Sequence, residues 1–358
     1  MKVAIIGIRG LPNTYGGFET LAEYLVKHLS KTFEITVYCS SIDLSTKLKE
    51  YNGAKLKYIP ISSHGAWGII YDSISLLLSV RKFDKIIFLG FGGGFVMHLI
   101  KKYRHKMILN IGGLDWKRDK WSSKVKRIIK ISEALLVKYS SQIISDNVGI
   151  QDYIFTEYGR SSTLIAYGGD QTMRVSITPE AKKYYPFLES KYAFIVTRIQ
   201  VDNNVEMILK AFMKQNRLPI VIVGNWNDSK YGKMLKSKYL DKNKLILLDA
   251  IYDQQKLDIL RSNCTVYIHG HSAGGTNPSL VEAMFLGLPI FAFASGYNEY
   301  TTYNKAIYFK SEKELTQLIN NYESLNIDAI GKKLKELADK HYRWAHIANE
   351  YKKLILKD

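Results

Sequence analysis

The chain has 358 residues, 46% of them apolar, with 51 Lys and Arg against 33 Asp and Glu. That length is long for one core, so two domains of ordinary size are expected, and the apolar share is normal for a globular protein. The net charge of +18 favours an anionic partner: nucleic acid, an acidic lipid surface or a phosphorylated substrate. The longest apolar stretch, Gly68 to Val80, is broken by Asp72 and serines and is too short to span a bilayer. Met1-Lys2 runs straight into a strand pattern, so no secretory signal is expected, and the protein should be cytoplasmic and soluble, or at most lie on a membrane. The two cysteines, Cys39 and Cys264, sit in separate apolar runs and read as buried, unpaired thiols.

In chain order, VAIIG (Val3 to Gly7) is a short apolar run, followed by a glycine-rich loop and a helix from about Gly17 to Leu29. EITVYC and KLKYIP read as strands, and Gly68–Val80 as a helix. DKIIFLG, KMILNI, QIISDN and STLIAYG follow, separated by helical stretches. The pattern lapses between Gly168 and Pro179, which marks a boundary near 170/171. A second series then runs through YAFIVT, LPIVIVG, KLILLD, CTVYIHG and LPIFAF. Alternating strands and helices imply parallel sheets covered on both faces, here in two Rossmann-like halves. Their ligand site is expected where the C-terminal strand ends of both halves face a common cleft. A last helix, Trp344 to Leu356, carries its apolar residues on one stripe, either packing on the second domain or crossing back over the first.

Lys101 to Lys138 holds twelve Lys or Arg against three acids. Within it, Trp121, Val125, Ile128 and Ile129 recur at helical spacing with Lys124, Lys126, Arg127 and Lys130 between them. A basic amphipathic helix on a membrane surface and a core-packing helix with a solvated basic face both fit.

Two loops carry chemistry. In HSAGGTNPSLVEAM (His271 to Met284), Asn277 is a strong N-cap and Pro278 suits the first helical position. Unpaired N–H groups and the positive dipole end of a helix Pro278 to Phe285 are then expected to favour a phosphate. Glu282, one turn inside, would repel phosphate but can accept hydrogen bonds from a sugar diol; a surface glutamate on a well-capped helix is the plainer alternative. In GIRGLPNTYGGFET (Gly7 to Thr20), Gly16 and Gly17 let backbone approach a ligand, and Arg9 supplies a charge. GFGGGF (Gly90 to Phe95) misses the dinucleotide fingerprint by one place and lacks its ribose-binding acid. Asp-x-Asp and Walker A patterns are absent, so no metal site is expected. Arg198, after YAFIVT, is a diphosphate ligand candidate. His269 and His271 lack a third partner as metal ligands; a sugar contact suits His271 and loop packing suits His269.

GIRGLPNTYGGFET, GLDWKRDKW, DNVGIQDYI, TRIQVDNN, GGTNPSLVEAM and RWAHIANEY together resemble retaining GT-B glycosyltransferases of family 4, within it the rhamnosyltransferase-like subgroup of bacterial capsule and cell-wall polysaccharide assembly. The resemblance implies a GT-B fold, with an acceptor-binding domain over 1–170, a nucleotide-sugar-binding domain over 171–340, and a final helix, 341–358, returning to the first. By position, Arg198 would clamp the diphosphate and Glu282 the ribose hydroxyls. Gly275, Thr276, Asn277 and Ser279 would meet phosphates or sugar, the segment Ile251-Tyr252-Asp253 would flank the base, and Gly16 and Gly17 would lie by the reacting carbon. Two departures stand out: Gly274 where the family usually has a glutamate, and Asn203-Asn204 where a lysine is usual, with Arg9 as a replacement cation. Asp115 and Asp146 are candidates for a catalytic base or for helix caps.

The implied donor is a dTDP- or UDP-linked sugar, dTDP-rhamnose by subgroup, with no other cofactor. The implied acceptor is a lipid-linked saccharide at the inner face of the plasma membrane, near Trp116, Trp121, Lys124 and Arg127. An epimerase and a basic nucleic-acid-binding protein are the rivals. The second finds no recognised binding module, so nucleic acid is not an expected partner; a dehydrogenase is disfavoured by the missing fingerprint.

Overall fold

A computed structural model describes residues 1–13, 16–117, 121–240 and 242–357. The chain divides into two units, Met1–Tyr167 with Trp344–Asp358, and Gly168–Arg343. These boundaries lie three residues from the expected 170/171 and 340/341.

The first unit contains β1 (Lys2–Ile6), α1 (Gly17–Leu29), β2 (Glu34–Ser40), β3 (Glu50–Tyr51), β4 (Ala54–Ile59), α2 (Gly65–Ser79), β5 (Lys85–Leu89), β6 (Met107–Asn110), α3 (Ser123–Tyr139), β7 (Gln142–Ser145), α4 (Val148–Tyr158) and β8 (Thr163–Leu164). Its strand order is β3-β4-β2-β1-β5-β6-β7-β8, parallel except for the β3–β4 pair. The near-continuous apolar runs of β1 and β5 are what a strand covered on both faces requires.

The second unit contains α5 (Pro179–Tyr184), β9 (Ala193–Val196), α6 (Val205–Met213), β10 (Ile220–Val223), α7 (Lys230–Tyr239), β11 (Leu245–Leu248), α8 (Gln254–Ser262), β12 (Val266–His269), α9 (Pro278–Phe285), β13 (Ile290–Phe293), α10 (Tyr297–Thr301), β14 (Ile307–Phe309), α11 (Glu312–Asn320) and α12 (Ile327–His341). Its order is β11-β10-β9-β12-β13-β14, all parallel.

α13 (Trp344–Leu356) belongs to the first unit. Trp344, Ile347, Ala348, Tyr351 and Ile355 sit in the same buried cluster as Val3, Ile5, Leu25 and Ile35. Trp344 stacks on Tyr24 of α1 with ring centroids 4.6 Å apart, and Asn110 at the end of β6 donates from Nδ2 to the Tyr351 hydroxyl at 2.8 Å. The stripe at i, i+3, i+4 and i+7 is therefore a core face.

Two elements differ from the sequence expectation. STLIAYG pairs over only two rungs, Ile144↔Thr163 and Ser145↔Leu164, because the chain then leaves the sheet edge to bury Ile165 and Tyr167. The β3–β4 hairpin was not expected, although its turn, Asn52-Gly53 with φ of 47° and 83°, is the pair that such a two-residue connection favours. Cys39 and Cys264 are buried free thiols; burial pushes them up to about 11 and about 12, so both stay protonated.

Candidate functional site

In a parallel sheet the loops after neighbouring strands emerge side by side. β9 and β12 are neighbours, so the Arg198 loop and the 270–277 loop share one sheet edge. Side chains lace them together. Asn204, held at φ 52°, donates from Nδ2 to the Gly270 carbonyl at 2.9 Å. Ser272 donates from its amide and its hydroxyl to the Asp202 carbonyl at 2.9 and 2.8 Å, and Asn203 donates from Nδ2 to the Arg198 carbonyl at 2.8 Å. The two asparagines that stand in place of a lysine thus build the loops. Arg198 itself is exposed directly after β9.

α9 begins as its sequence requires, with Pro278 in the first turn and Asn277 as N-cap. The Asn277 Oδ1 accepts from the Ser279 amide at 3.0 Å and from the Ser279 hydroxyl at 2.8 Å. The expectation of unpaired N–H groups here is corrected. Pro278 has none, the Ser279 amide is capped, and the Leu280 amide donates to the Asn277 carbonyl at 3.1 Å. The dipole remains, but the helix's own first amides are in use. Gly275 and His271 in the preceding loop are half-buried and Thr276 is buried. Gly274 has φ 111° with open space around it, so a glutamate there would fit sterically but carry backbone strain.

The outer end of Glu282 is fixed by a network that sequence reasoning missed. Its Oε2 pairs with Arg261 of α8, and its Oε1 accepts from Gln171 Nε2 at 2.6 Å. Arg261 is fully buried and also donates from Nη2 to Asp258 Oδ1 at 2.8 Å and to Thr172 Oγ1 at 3.1 Å. Asp258 further accepts from the Thr172 hydroxyl at 2.6 Å and the Met173 amide at 3.2 Å. Burial alone would lower the Arg261 pKa; Glu282 and Asp258 outweigh it and the net shift is upward. Each carboxylate oxygen offers about two lone pairs, so Glu282 keeps acceptor capacity for a diol while held in place. The only sequence signal was the Asp258–Arg261 pair at i,i+3, whose partner lies 21 residues on.

His269 ends β12, within the expected strand CTVYIHG, and is fully buried there instead of packing in the loop. Neither ring nitrogen has a hydrogen-bond partner among the described residues, and burial brings its pKa down to about 3, so the ring is neutral. His271 stacks on it at 4.4 Å. Among the described residues no group of three or more His, Cys, Asp or Glu is placed to hold a metal ion. Ile251 is half-buried and Tyr252 exposed beyond β11, and Asp253 caps α8 by accepting from the Lys256 amide at 3.0 Å.

In the first unit, Gly16 is the N-cap of α1 at φ 131°, and a Cβ there would meet Glu19 Oε2 at 2.0 Å; Gly17 is the first helical residue. Glu19 accepts from the Arg9 amide at 3.1 Å. The Arg9 guanidinium meets His64 Nε2 at 3.0 Å, and His64 Nδ1 faces Asp43 at 3.2 Å. Burial raises the Asp43 pKa, but bonds from the Ser63 amide and the Ser62 and Ser63 hydroxyls bring it down to about 2. Arg9 is therefore engaged inside its own unit.

Asp146 is buried beyond β7, beside Tyr167 and Tyr351, whose pKa values burial, and secondarily its charge, raise. It does not cap α4. Asn147 does, accepting from the Gly149 amide at 2.9 Å, because the next residue has the extended backbone a cap needs. Asp115 starts a short 3-10 turn, and its side chain lies outside the described residues.

The four residues expected at a membrane differ in exposure. Trp116 is half-buried, donating from Nε1 to the Tyr153 hydroxyl at 3.2 Å with Lys130 over its ring at 4.5 Å. Trp121 is half-buried, while Lys124 and Arg127 are exposed. Of the expected stripe, Ile129 is buried but Ile128 faces solvent.

Residues 1–170 match a domain of unknown function, DUF1972, and residues 177–344 match glycosyl transferases group 1. No curated protein matches the chain in sequence. Sucrose-phosphate synthase from Thermosynechococcus elongatus is similar in structure, with a TM-score of 0.82 at 14% identity over 99% of this chain and 98% of that one. HepE of Anabaena, solved with UDP and glucose, gives 0.75 at 14% over 99% of each chain. A glycosyltransferase from Rickettsia africae gives 0.74 at 13% over 100% of this chain and 98% of its own. At such identities the likeness speaks for the fold, and the group 1 match speaks for the chemistry. The chain thus has a GT-B fold, and its second unit carries a glycosyl transferases group 1 domain.

Proposed function

We propose that the protein transfers a sugar, with retention at the anomeric carbon and without a metal ion, from a nucleoside diphosphate sugar to a lipid-linked saccharide of bacterial surface polysaccharide. The donor is dTDP-rhamnose on the strength of motif resemblance alone. The observation that carries the donor reading is Glu282, held by Arg261 and Gln171 one turn inside a capped helix start. That HepE was solved with UDP and glucose supports a nucleotide-sugar ligand for this architecture.

In this reading Glu282 accepts from the ribose diol. The α9 dipole, the amides before Pro278 and Arg198 receive the diphosphate. The bond from the anomeric carbon to the phosphate oxygen breaks, and its electron pair leaves with the diphosphate. The acceptor hydroxyl attacks on the same face and its proton passes to the leaving phosphate oxygen, with Asp146 or Asp115 as the alternative base. Each donor aimed at the developing charge contributes on the order of 2–4 kcal/mol.

The test is thermal stabilisation by a panel of nucleotide sugars. Saturating dTDP- or UDP-sugar should stabilise by about 3 kcal/mol at a hundredfold excess over Kd. Glu282→Gln should lose most of that shift. A flat response to every nucleotide sugar would overturn the donor reading, and transfer from UDP-glucose but not dTDP-rhamnose would overturn the sugar.

A further inference from the structure

We propose that α2, the 3-10 turn Gly94–His98 and α3 form a docking face by which the first unit seats on an anionic lipid surface. This deepens the lipid-linked acceptor of the reading above and rests on it. α2 carries large apolar side chains on two faces, the buried one shared with Ser75 and Ser79. Tyr71 and Leu76 are buried, while Trp67, Ile70, Leu77 and Leu78 form a second stripe at i, i+3, i+10 and i+11 that faces solvent, with Trp67 62% exposed. A row of large apolar side chains left in solvent marks a surface that meets another apolar phase.

Exposed apolar residues recur on the elements packed beside it. The Gly94–His98 turn packs between α2 and α3, and Phe95 and, just beyond the turn, Leu99 are exposed, Leu99 at 75%. The turn is rigidly seated, since the Gly94 amide donates to Ser132 Oγ at 3.0 Å and a Cβ at Gly94 would lie 2.1 Å from the Ser132 carbonyl. On α3, Ile128 and Ile131 are exposed beside Lys124 and Arg127.

Charge selects the occupant. α2, the turn and α3 together carry five Lys and Arg, all on α3, against two acids, Asp72 and Glu133. Of those acids Glu133 is buried, and Asp72 is pushed up to about 8 by burial, so it is largely protonated at neutral pH. A second copy would set this basic rim against itself; anionic headgroups complement it. Among the described residues no helix is long and apolar enough to cross a membrane, so the contact is one of lying on the surface. The exposed aromatic anchors are Trp67 and Phe95, in place of the half-buried Trp116 and Trp121.

The full chain, without donor or acceptor, is sedimented with vesicles of phosphatidylcholine alone or mixed with phosphatidylglycerol. Binding to the mixed vesicles is expected, weakened by salt. Trp67→Ser with Leu99→Ser should cut partitioning about tenfold or more, since both side chains lose apolar area to bury. Lys124→Glu with Arg127→Glu should cost about fivefold or more per site. Circular dichroism checks that the variants fold, and unchanged stabilisation by nucleotide sugars separates this face from the donor site. Failure to bind mixed vesicles, or equal binding to neutral ones, overturns the proposal. So does a wild-type dimer that the double serine variant turns into a monomer without any effect on vesicles.

Discussion

The two units share a layered α/β plan and nearly the same length, yet they spend their side chains differently. The first carries 27 Lys and Arg against 15 Asp and Glu; the second carries 24 against 18. The first also leaves a run of large apolar residues from Trp67 to Ile131 in solvent. The second turns its charge inward, binding one guanidinium between Asp258 and Glu282 and stitching its loops with asparagines and a serine. One plan thus yields a loop edge cross-linked by side chains in one unit and a broad exposed apolar surface in the other. Fold class alone predicts neither.

That contrast can be broken at its strongest point first. Arg261→Ala leaves two carboxylates without their shared cation. A loss of about 3–5 kcal/mol is expected in urea denaturation of the second unit, the usual cost of removing one partner from a buried ion pair. Nucleotide-sugar stabilisation should fall with it. An unaffected midpoint would show that the network is not what holds Glu282.

The next effects are pH signatures of opposite sign. His269 has a folded pKa of about 3 against an ordinary 6.5, so the unfolded state gains a proton first as pH falls. Stability should drop between about pH 6.5 and 3, by a few kcal/mol at most, and His269→Phe should flatten that slope. Asp72 has a folded pKa of about 8 against 3.8, so its favourable protonated form is fully present below 3.8 and is lost as pH rises towards 8. Asp72→Asn should therefore raise the Tm more at pH 8 than at pH 5, with Gly92 still donating to the new amide oxygen. A Tm gain that is the same at both pH values would exclude ionisation of Asp72 as the cause.

The smallest effect lies at the helix start. Asn277→Ala removes the cap on Ser279 and should cost about 1 kcal/mol. Asn277→Asp keeps the cap but adds negative charge where the diphosphate is proposed to sit. It should preserve the Tm and weaken nucleotide-sugar stabilisation; retention of both would move the diphosphate away from α9.

Much of this molecule was legible locally. The strand and helix alternation, the helix from Pro278 to Phe285 and the helix from Trp344 to Leu356 follow from apolar periodicity and cap chemistry, which act within a few residues. The Asn52-Gly53 hairpin was equally local, and was missed because its strands are two and six residues long. What the sequence could not decide was which distant groups meet. Gln171 reaches Glu282 across 111 positions and Asn204 reaches Gly270 across 66, because strand order sets which loops become neighbours. It also could not decide which apolar faces are covered. α2 carries large apolar residues on two faces, and only packing against the rest of the unit determined that Tyr71 is buried and Trp67 is not. Periodicity records what a residue prefers, while burial depends on what else the fold brings to that place.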